Sequence, residues 1–373
     1  MVWGLYKPPL ANERCCDMNS KAPQIDKVID FCRQLLASIL RSRIGALTQL
    51  ATLLRFQPGT KGFERRFNKL VPLMKSLEEA YQESVKASFP KEGLRLGIFD
   101  DSSIKKTGKT FPKQKKHYDS SNNEFYNGMK ILSSMVCQKG KLATVSSVIV
   151  GEEDNKLEVA KEKVDYLVDE FLVEMFLFDS WYCKQPLLNH IIGRGKLFIS
   201  RLRKDTKTVF GEDEERLDNL ARSIEHKTYE QIKIKGKTYW VVDLELDLKA
   251  YGKQRVILSK ESRYEKPIFL VTNAYKLSAQ FIVKLYLKRF SIEVFFKDAK
   301  QHLNLETFLC RDPTKWDLHL QLTNLIHWAI QKKNSISHTI RAIREDIQQC
   351  LLFINQNPLI NQFFEELRKK CPT

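Results

Sequence analysis

Between about residues 24 and 88, apolar residues recur every three or four positions, the period of helices packed along one side. VIDFCRQLLASILRSRIGALTQLATLLRF carries basic residues between its apolar ones, and after QPGT the run FERRFNKLVPLMKSLEEAYQESVKASF reads the same way. The period changes after Pro90. LRLGIFDDSS (Leu94–Ser103) reads as a buried strand ending on two aspartates, followed by a lysine-rich loop. FYNGMKILSSMVCQ and LATVSSVIVG flank the turn QKGK and predict a hairpin. Residues 152–173 predict a charged amphipathic helix, and MFLFDSWY (Met175–Tyr182) a second buried strand ending on an acid. KQPLLNHIIGRG then predicts a helix with a glycine stop, and KLFISRLRK another strand.

This order predicts an α/β fold, a mixed sheet with helices on its faces. From Asp205 to about Pro267 it is interrupted by a charged stretch and short alternating runs (YEQIKIKG, KTYWVVDLELDLKAYG, KQRVILSKES), which predict a mainly β insertion. KPIFLVTN resumes the sheet pattern and leads through Ser278, a predicted N-cap, into a helix. The expected division is a helical unit over 1–90, a core over 91–204 and 266–312, the insertion over 205–265, and a helical region over 313–373. The first unit has the charge of a DNA reader but no clean helix-turn-helix, and packing or dimerisation is an equal expectation.

Charge narrows the partners. Lys+Arg 62 against Asp+Glu 45 gives a net +17, an excess that favours polyanions and makes nucleic-acid binding salt dependent. Ribosomal, membrane-surface and heparin-binding proteins share it, so charge alone names no function. The eight cysteines are scattered without a C-x-x-C, as expected of reduced thiols in a soluble intracellular protein. No apolar run approaches the ~18 residues of a membrane span, and MVWGLYKPPL lacks a signal-peptide pattern, so no membrane partner is expected. Gly108-Lys109-Thr110 ends like a P-loop, but Ser103 stands where the first glycine belongs, which excludes nucleotide binding there. The histidines have no metal spacing, and no G-x-S-x-G marks a hydrolase.

The unusual stretch is YLKRFSIEVFFKDAK, Tyr286 to Lys300. On a single helix Tyr286, Arg289, Glu293 and Lys300 fall within an arc of roughly 60°, with Lys297 close by and apolar residues over much of the rest. Taken alone, the stripe could be a surface face laced by Arg289–Glu293 and Glu293–Lys297 pairs. Asp100-Asp101 and Asp179 add acids at the ends of two apolar strands, where side chains of an α/β sheet converge. Three carboxylates suit Mg²⁺ or Mn²⁺. Two such ions about 4 Å apart can activate an attacking oxygen and stabilise a leaving one in phosphoryl transfer. Ser103 to His117 holds six lysines and no acid, Lys105, Lys106 and Lys109 among them. That loop could clamp a DNA backbone or simply be solvated.

The spacing Y-(2)-R-(3)-E-(6)-K resembles the YREK signature of bacterial DDE transposases of the insertion-sequence-four group. IFDDSSIKKTGK, FLFDSWY and YLKRFSIEVFFKDAKQHLNLETFLCRD are similar to that family's blocks, over about residues 94–310. The resemblance implies an RNase H-like core with Asp101, Asp179 and Glu293 binding Mg²⁺ or Mn²⁺, two ions. Asp101 is taken over Asp100 because the family's acid directly precedes a small or hydroxyl pair, here Ser102-Ser103. Tyr286, Arg289 and Lys300 would contact DNA phosphates near the cut end. Related elements stack a flipped base on an insertion-domain tryptophan; the comparable strand here has Ile268-Phe269, and Trp240 is the alternative, unless it is a core residue. The implied protein binds terminal inverted repeats as a homodimer, cuts with activated water and joins the 3′-OH to target DNA. Its implied setting is the bacterial or archaeal cytoplasm, associated with the nucleoid. A metal-dependent nuclease without strand transfer and a non-enzymatic DNA-binding descendant are the alternatives.

Overall fold

The computed structural model describes residues 22–41, 61–106, 111, 113–119, 123–151, 153–331 and 346–371. The sheet begins with β1 (Leu96–Lys105), β2 (Lys115–Asp119), β3 (Glu124–Gln138) and β4 (Lys141–Val150). β1 and β4 both pair antiparallel with β3. Lys139 and Gly140, at φ 47° and 84°, make the two-residue turn between β3 and β4. Positive φ at both central positions matches the right-handed twist of a hairpin.

α4 (Lys156–Phe171) crosses to β5 (Met175–Phe178), and α5 (Gln185–Gly193) crosses to β6 (Leu197–Leu202). β5 lies parallel to both β1 and β6. An antiparallel meander joined on one side to two parallel crossovers, in the order β4-β3-β1-β5-β6, is the RNase H-like arrangement. Asn155 caps α4 by accepting from the Leu157 N–H at 3.0 Å.

The chain then runs through β7 (Lys207–Phe210), β8 (Asp213–Arg216), α6 (Leu217–Ser223), β9 (Glu230–Ile234), β10 (Lys237–Leu248), β11 (Gly252–Lys260) and β12 (Ile268–Thr272). β12 pairs antiparallel with β6 on one side and β11 on the other, so the inserted strands extend the core sheet to twelve strands. Ser278 caps α7 (Ala279–Tyr286) by accepting from the Phe281 N–H at 3.2 Å, as the sequence predicts.

The stretch read as one helix is broken. α7 ends at Tyr286, Leu287–Arg289 form a 3₁₀ turn, and α8 (Phe290–His302) follows. A 3₁₀ turn advances each residue by about 120° instead of 100°, so the break re-aims Arg289 relative to Tyr286.

Two apolar layers sandwich the sheet. Leu96, Ile98, Met175 and Leu177 face α7, α8 and Trp316 of α9 (Pro313–Ile330). Phe99, Phe176 and Phe178 face α4, α5 and the flanking helices. These are α1 (Ala22–Arg41), α2 (Lys61–Asn68), α3 (Met74–Ser88), α10 (Ile347–Gln356) and α11 (Pro358–Lys370). Arg33 of α1 reaches Asn361 of α11 at 2.9 Å, and the Tyr81 hydroxyl of α3 donates to the Thr144 carbonyl of β4 at 2.9 Å. The helical units before and after the sheet thus share one core with it. The part of the first helical run over residues 42–56, and the QPGT break after it, lie outside the described residues.

Gly128 of β3 has no room for a side chain: a Cβ there would lie 2.3 Å from the Ile104 carbonyl oxygen of β1. Gly128→Ala must push backbone aside, and is expected to lower stability by ~1–3 kcal/mol. A urea titration with an unshifted midpoint would contradict this.

Candidate active site

Strand alternation decides which acids share a face. Leu96 and Ile98 of β1 lie in register with Met175 and Leu177 of β5, all four under α8. Asp179 is the first residue past the end of β5, and Asp100 stands two residues further along β1 and so continues that face. Asp101, one step on, turns to the α4 side.

On the α8 side, Arg289 holds the acids together. Its guanidinium donates to Asp100 Oδ2 at 3.0 Å and, through the other terminal nitrogen, to Glu293 Oε1. Arg289 is 7% exposed, and its charge lies 5.7 Å from the centre of the Tyr286 ring. Burial works against that charge, but Tyr286, Asp100 and Glu293 together raise its pKa. Burial and then the neighbouring Asp179 push Asp100 up to about 7, against the pull of Arg289. Burial also raises Asp179, although its Oδ1 accepts from the Trp181 N–H at 2.9 Å. At the far end of α8, Lys300 donates to the Ser103 carbonyl at 2.7 Å and pins the helix to β1.

On the opposite face Asp101 is fully engaged. It accepts from Lys156 at 2.5 Å and from the Tyr182 hydroxyl at 2.7 Å, with Lys130 at 3.3 Å. Burial alone would raise its pKa, but Lys156, Lys130 and these hydrogen bonds hold it below the usual carboxylate range. Asp101→Asn leaves Lys156 buried without its counter-charge, and is expected to cost ~3–5 kcal/mol at neutral pH. A depressed carboxylate contributes stability above its unfolded pKa and loses it as pH falls through the folded value. The gap between variant and wild type should therefore start to shrink below about pH 4, where the unfolded chain takes up the proton, and vanish once the folded carboxyl is protonated as well. Denaturant midpoints across pH would reveal a constant gap if Asp101 mattered only by shape.

The structure therefore brings Asp100, Glu293, Arg289 and Tyr286 together on the α8 side; Asp101 is bonded on the α4 side but still helps to raise both Asp179 and Asp100. Asp101 was expected as the first ligand; its neighbour Asp100, on the other sheet face, is the one that Arg289 joins to Glu293. Lys297 is exposed on α8. Lys105 pairs with Glu124 at 2.8 Å. Lys106 turns inward, donating to the Glu306 and Phe308 carbonyls at 2.8 and 2.9 Å, and burial lowers its pKa to about 8. Lys109 lies outside the described residues. Trp240 is half-buried against the core with its ring edge on His226, and Phe269 is buried. Sequence reasoning missed Lys130 and Lys156, since nothing in their spacing ties them to Asp101.

Among the described residues, no three acids, histidines or cysteines are drawn close enough to cage an ion. The donor chemistry is still that of hard oxygen ligands: Asp100 and Glu293 share a cation, the Arg289 guanidinium, and Asp179 lies near enough to raise Asp100.

Residues 91–329 match the family model described as "Transposase DDE domain". The chain belongs to that family. The match covers the whole core and all of α9 but its last residue, and the family generally uses divalent metal ions and acts on DNA. A curated relative, "Probable transposase for insertion sequence element IS5377" from Geobacillus stearothermophilus, is 24% identical over 134 residues, 36% of this chain and 32% of the relative. The chain thus matches about a third of that relative's length. Among solved structures, the NurA nuclease from Sulfolobus solfataricus is similar at 12% identity and a TM-score of 0.27, over 60% of this chain and 82% of that one. No helix among the described residues of this DDE protein is long and apolar enough to cross a membrane.

Proposed function

We propose that the chain is an insertion-sequence transposase of the YREK group. It cleaves DNA at its element's ends and joins the freed 3′-OH to a target. The observation that carries this is Arg289 donating to both Asp100 and Glu293, with Asp179 near enough to raise Asp100. Asp100, Asp179 and Glu293 would hold Mg²⁺ or Mn²⁺, two ions, with Asp100 taking the place expected of Asp101. Bound there, such ions supply an activated oxygen nucleophile and a stabilised leaving oxygen.

The chain's own residues set the stage for that chemistry. Arg289 keeps Asp100 and Glu293 facing each other and is a bidentate donor suited to phosphate. Tyr286 stands behind Arg289, and Lys300 fixes α8 against β1. Lys297, exposed beside them, faces the DNA backbone. A homodimer bringing two element ends together in the cytoplasm, at the nucleoid, completes the reading. The boundaries 1–90, 91–204, 205–265, 266–312 and 313–373 serve as its functional divisions, with DNA recognition assigned to the first.

The test incubates purified protein with terminal-repeat duplex and Mg²⁺ or Mn²⁺, beside Glu293→Gln. Expected is metal-dependent cleavage exposing a 3′-OH and, with a target plasmid present, joined products. Both should vanish in the variant while duplex binding survives. Cleavage undiminished in Glu293→Gln would remove this helix from the mechanism.

A further inference from the structure

A cavity of ≈ 300 Å³, lined by none of the proposed site residues, opens between α3, β4 and α9. Its walls are apolar, with Met74 and Leu77 on α3, Leu322 and Leu325 on α9, and Phe363 on α11. The polar groups that reach it are short of partners. Gln321 Oε1 is buried and accepts no hydrogen bond among the described residues. Lys163 of α4 and Asp317 of α9 are half-buried, and among the described residues neither makes a hydrogen bond or a close ion pair. Burial lowers the pKa of Lys163 against the pull of Glu78, and raises that of Asp317 against the pull of Lys113. The cation and the acid thus belong to separate charge pairs along the lining. The floor is Val145–Ile149 of β4, which pairs with β3 alone among the described strands.

An occupant that answers all of these groups carries a carboxylate, an ammonium group, a main-chain amide and apolar side chains in one extended molecule. A short peptide with free ends has that chemistry. We propose that the cavity binds an apolar dipeptide laid along β4. Its carboxylate pairs with Lys163, and its ammonium group with Asp317 and the Gln321 oxygen. Its amide adds to the free edge of β4 as a further strand would, and its side chains rest on Leu77 and Leu322. A single amino acid holds its two charges on neighbouring atoms and cannot serve two separate pairs. The inference does not rest on the transposase reading, and DNA cleavage tests neither it nor its failure.

The probe is leucyl-leucine, titrated calorimetrically into the full chain beside its N-acetyl form, its C-terminal amide and free leucine. Each blocked form is expected to bind roughly 10- to 100-fold more weakly than the dipeptide, the worth of one hydrogen bond to a charged group. Lys163→Met keeps the length of the side chain and removes its charge. It should no longer tell the dipeptide from its amide, yet should still reject the N-acetyl form. Asp317→Asn should do the reverse. Thermal midpoints matched to wild type in the absence of peptide exclude misfolding as the cause. A wild type that takes up none of the four, or binds leucine as tightly as the dipeptide, overturns the proposal. So does a folded Lys163→Met that still prefers the dipeptide to its amide.

Discussion

Asp100→Asn is expected to lower metal-dependent DNA cleavage roughly a thousandfold or more, equivalent to about 4 kcal/mol of lost transition-state stabilisation. The same change should make the metal-free protein more stable at pH 8. The carboxyl takes up its proton near pH 7 in the folded chain but near 3.8 in an unperturbed one. Between those values the folded state holds more protons than the unfolded state, so stability falls as pH rises. A gap of about 3 pH units corresponds to at most about 4 kcal/mol, present as a penalty above pH 7 and absent below pH 4. Asparagine removes the penalty while keeping a hydrogen-bonding oxygen for Arg289. Cleavage rates and denaturant midpoints at pH 5 and pH 8 check both halves. If Asp101→Asn, and not Asp100→Asn, abolished cleavage without loss of stability, the assignment of faces would be wrong.

Arg289→Met should have the second-largest effect. It leaves Asp100 buried beside Asp179 with no counter-charge, which is expected to cost ~3–5 kcal/mol at pH 8. At pH 5 Asp100 is largely protonated, so most of that cost should disappear. Added Mg²⁺ should raise the midpoint of Arg289→Met more than that of wild type, because a divalent ion replaces the missing guanidinium between the carboxylates. Equal responses to Mg²⁺ would mean that the ion does not bind there. Arg289→Lys is no substitute, since a single ammonium cannot span both acids in the manner of a planar fork.

The core of this fold was legible wherever local chemistry sufficed. Lys139-Gly140 announces a tight hairpin, Ser278 a helix start, and the apolar runs ending on Asp100-Asp101 and Asp179 announce strands leading to a site. What sequence could not decide were questions of direction. Asp100 and Asp101 are chemically identical neighbours, and only the register of β1 with β5 tells which looks toward α8. Lys106 sits in a basic run that suggests a solvent-facing clamp, yet the carbonyls that claim it come from residues 306 and 308, two hundred positions away. The 3₁₀ turn at Leu287–Arg289 was hidden for a similar reason: its residues fit a continuous helix, and the long-range pairing of Arg289 with Asp100 leaves no trace in local periodicity.

The placement of β12 has a dynamic consequence. Because Phe269–Thr272 are bonded to β6 on one edge and to β11 on the other, neither edge of the strand opens to solvent without separating catalytic and inserted strands. Amide protons along β6, β12 and β11 should therefore exchange with deuterated water as one cooperative block, released only by near-global opening. The inserted strands cannot then breathe or be trimmed away as a loose accessory, and a substrate pressing on them would be felt in the strand next to Asp179.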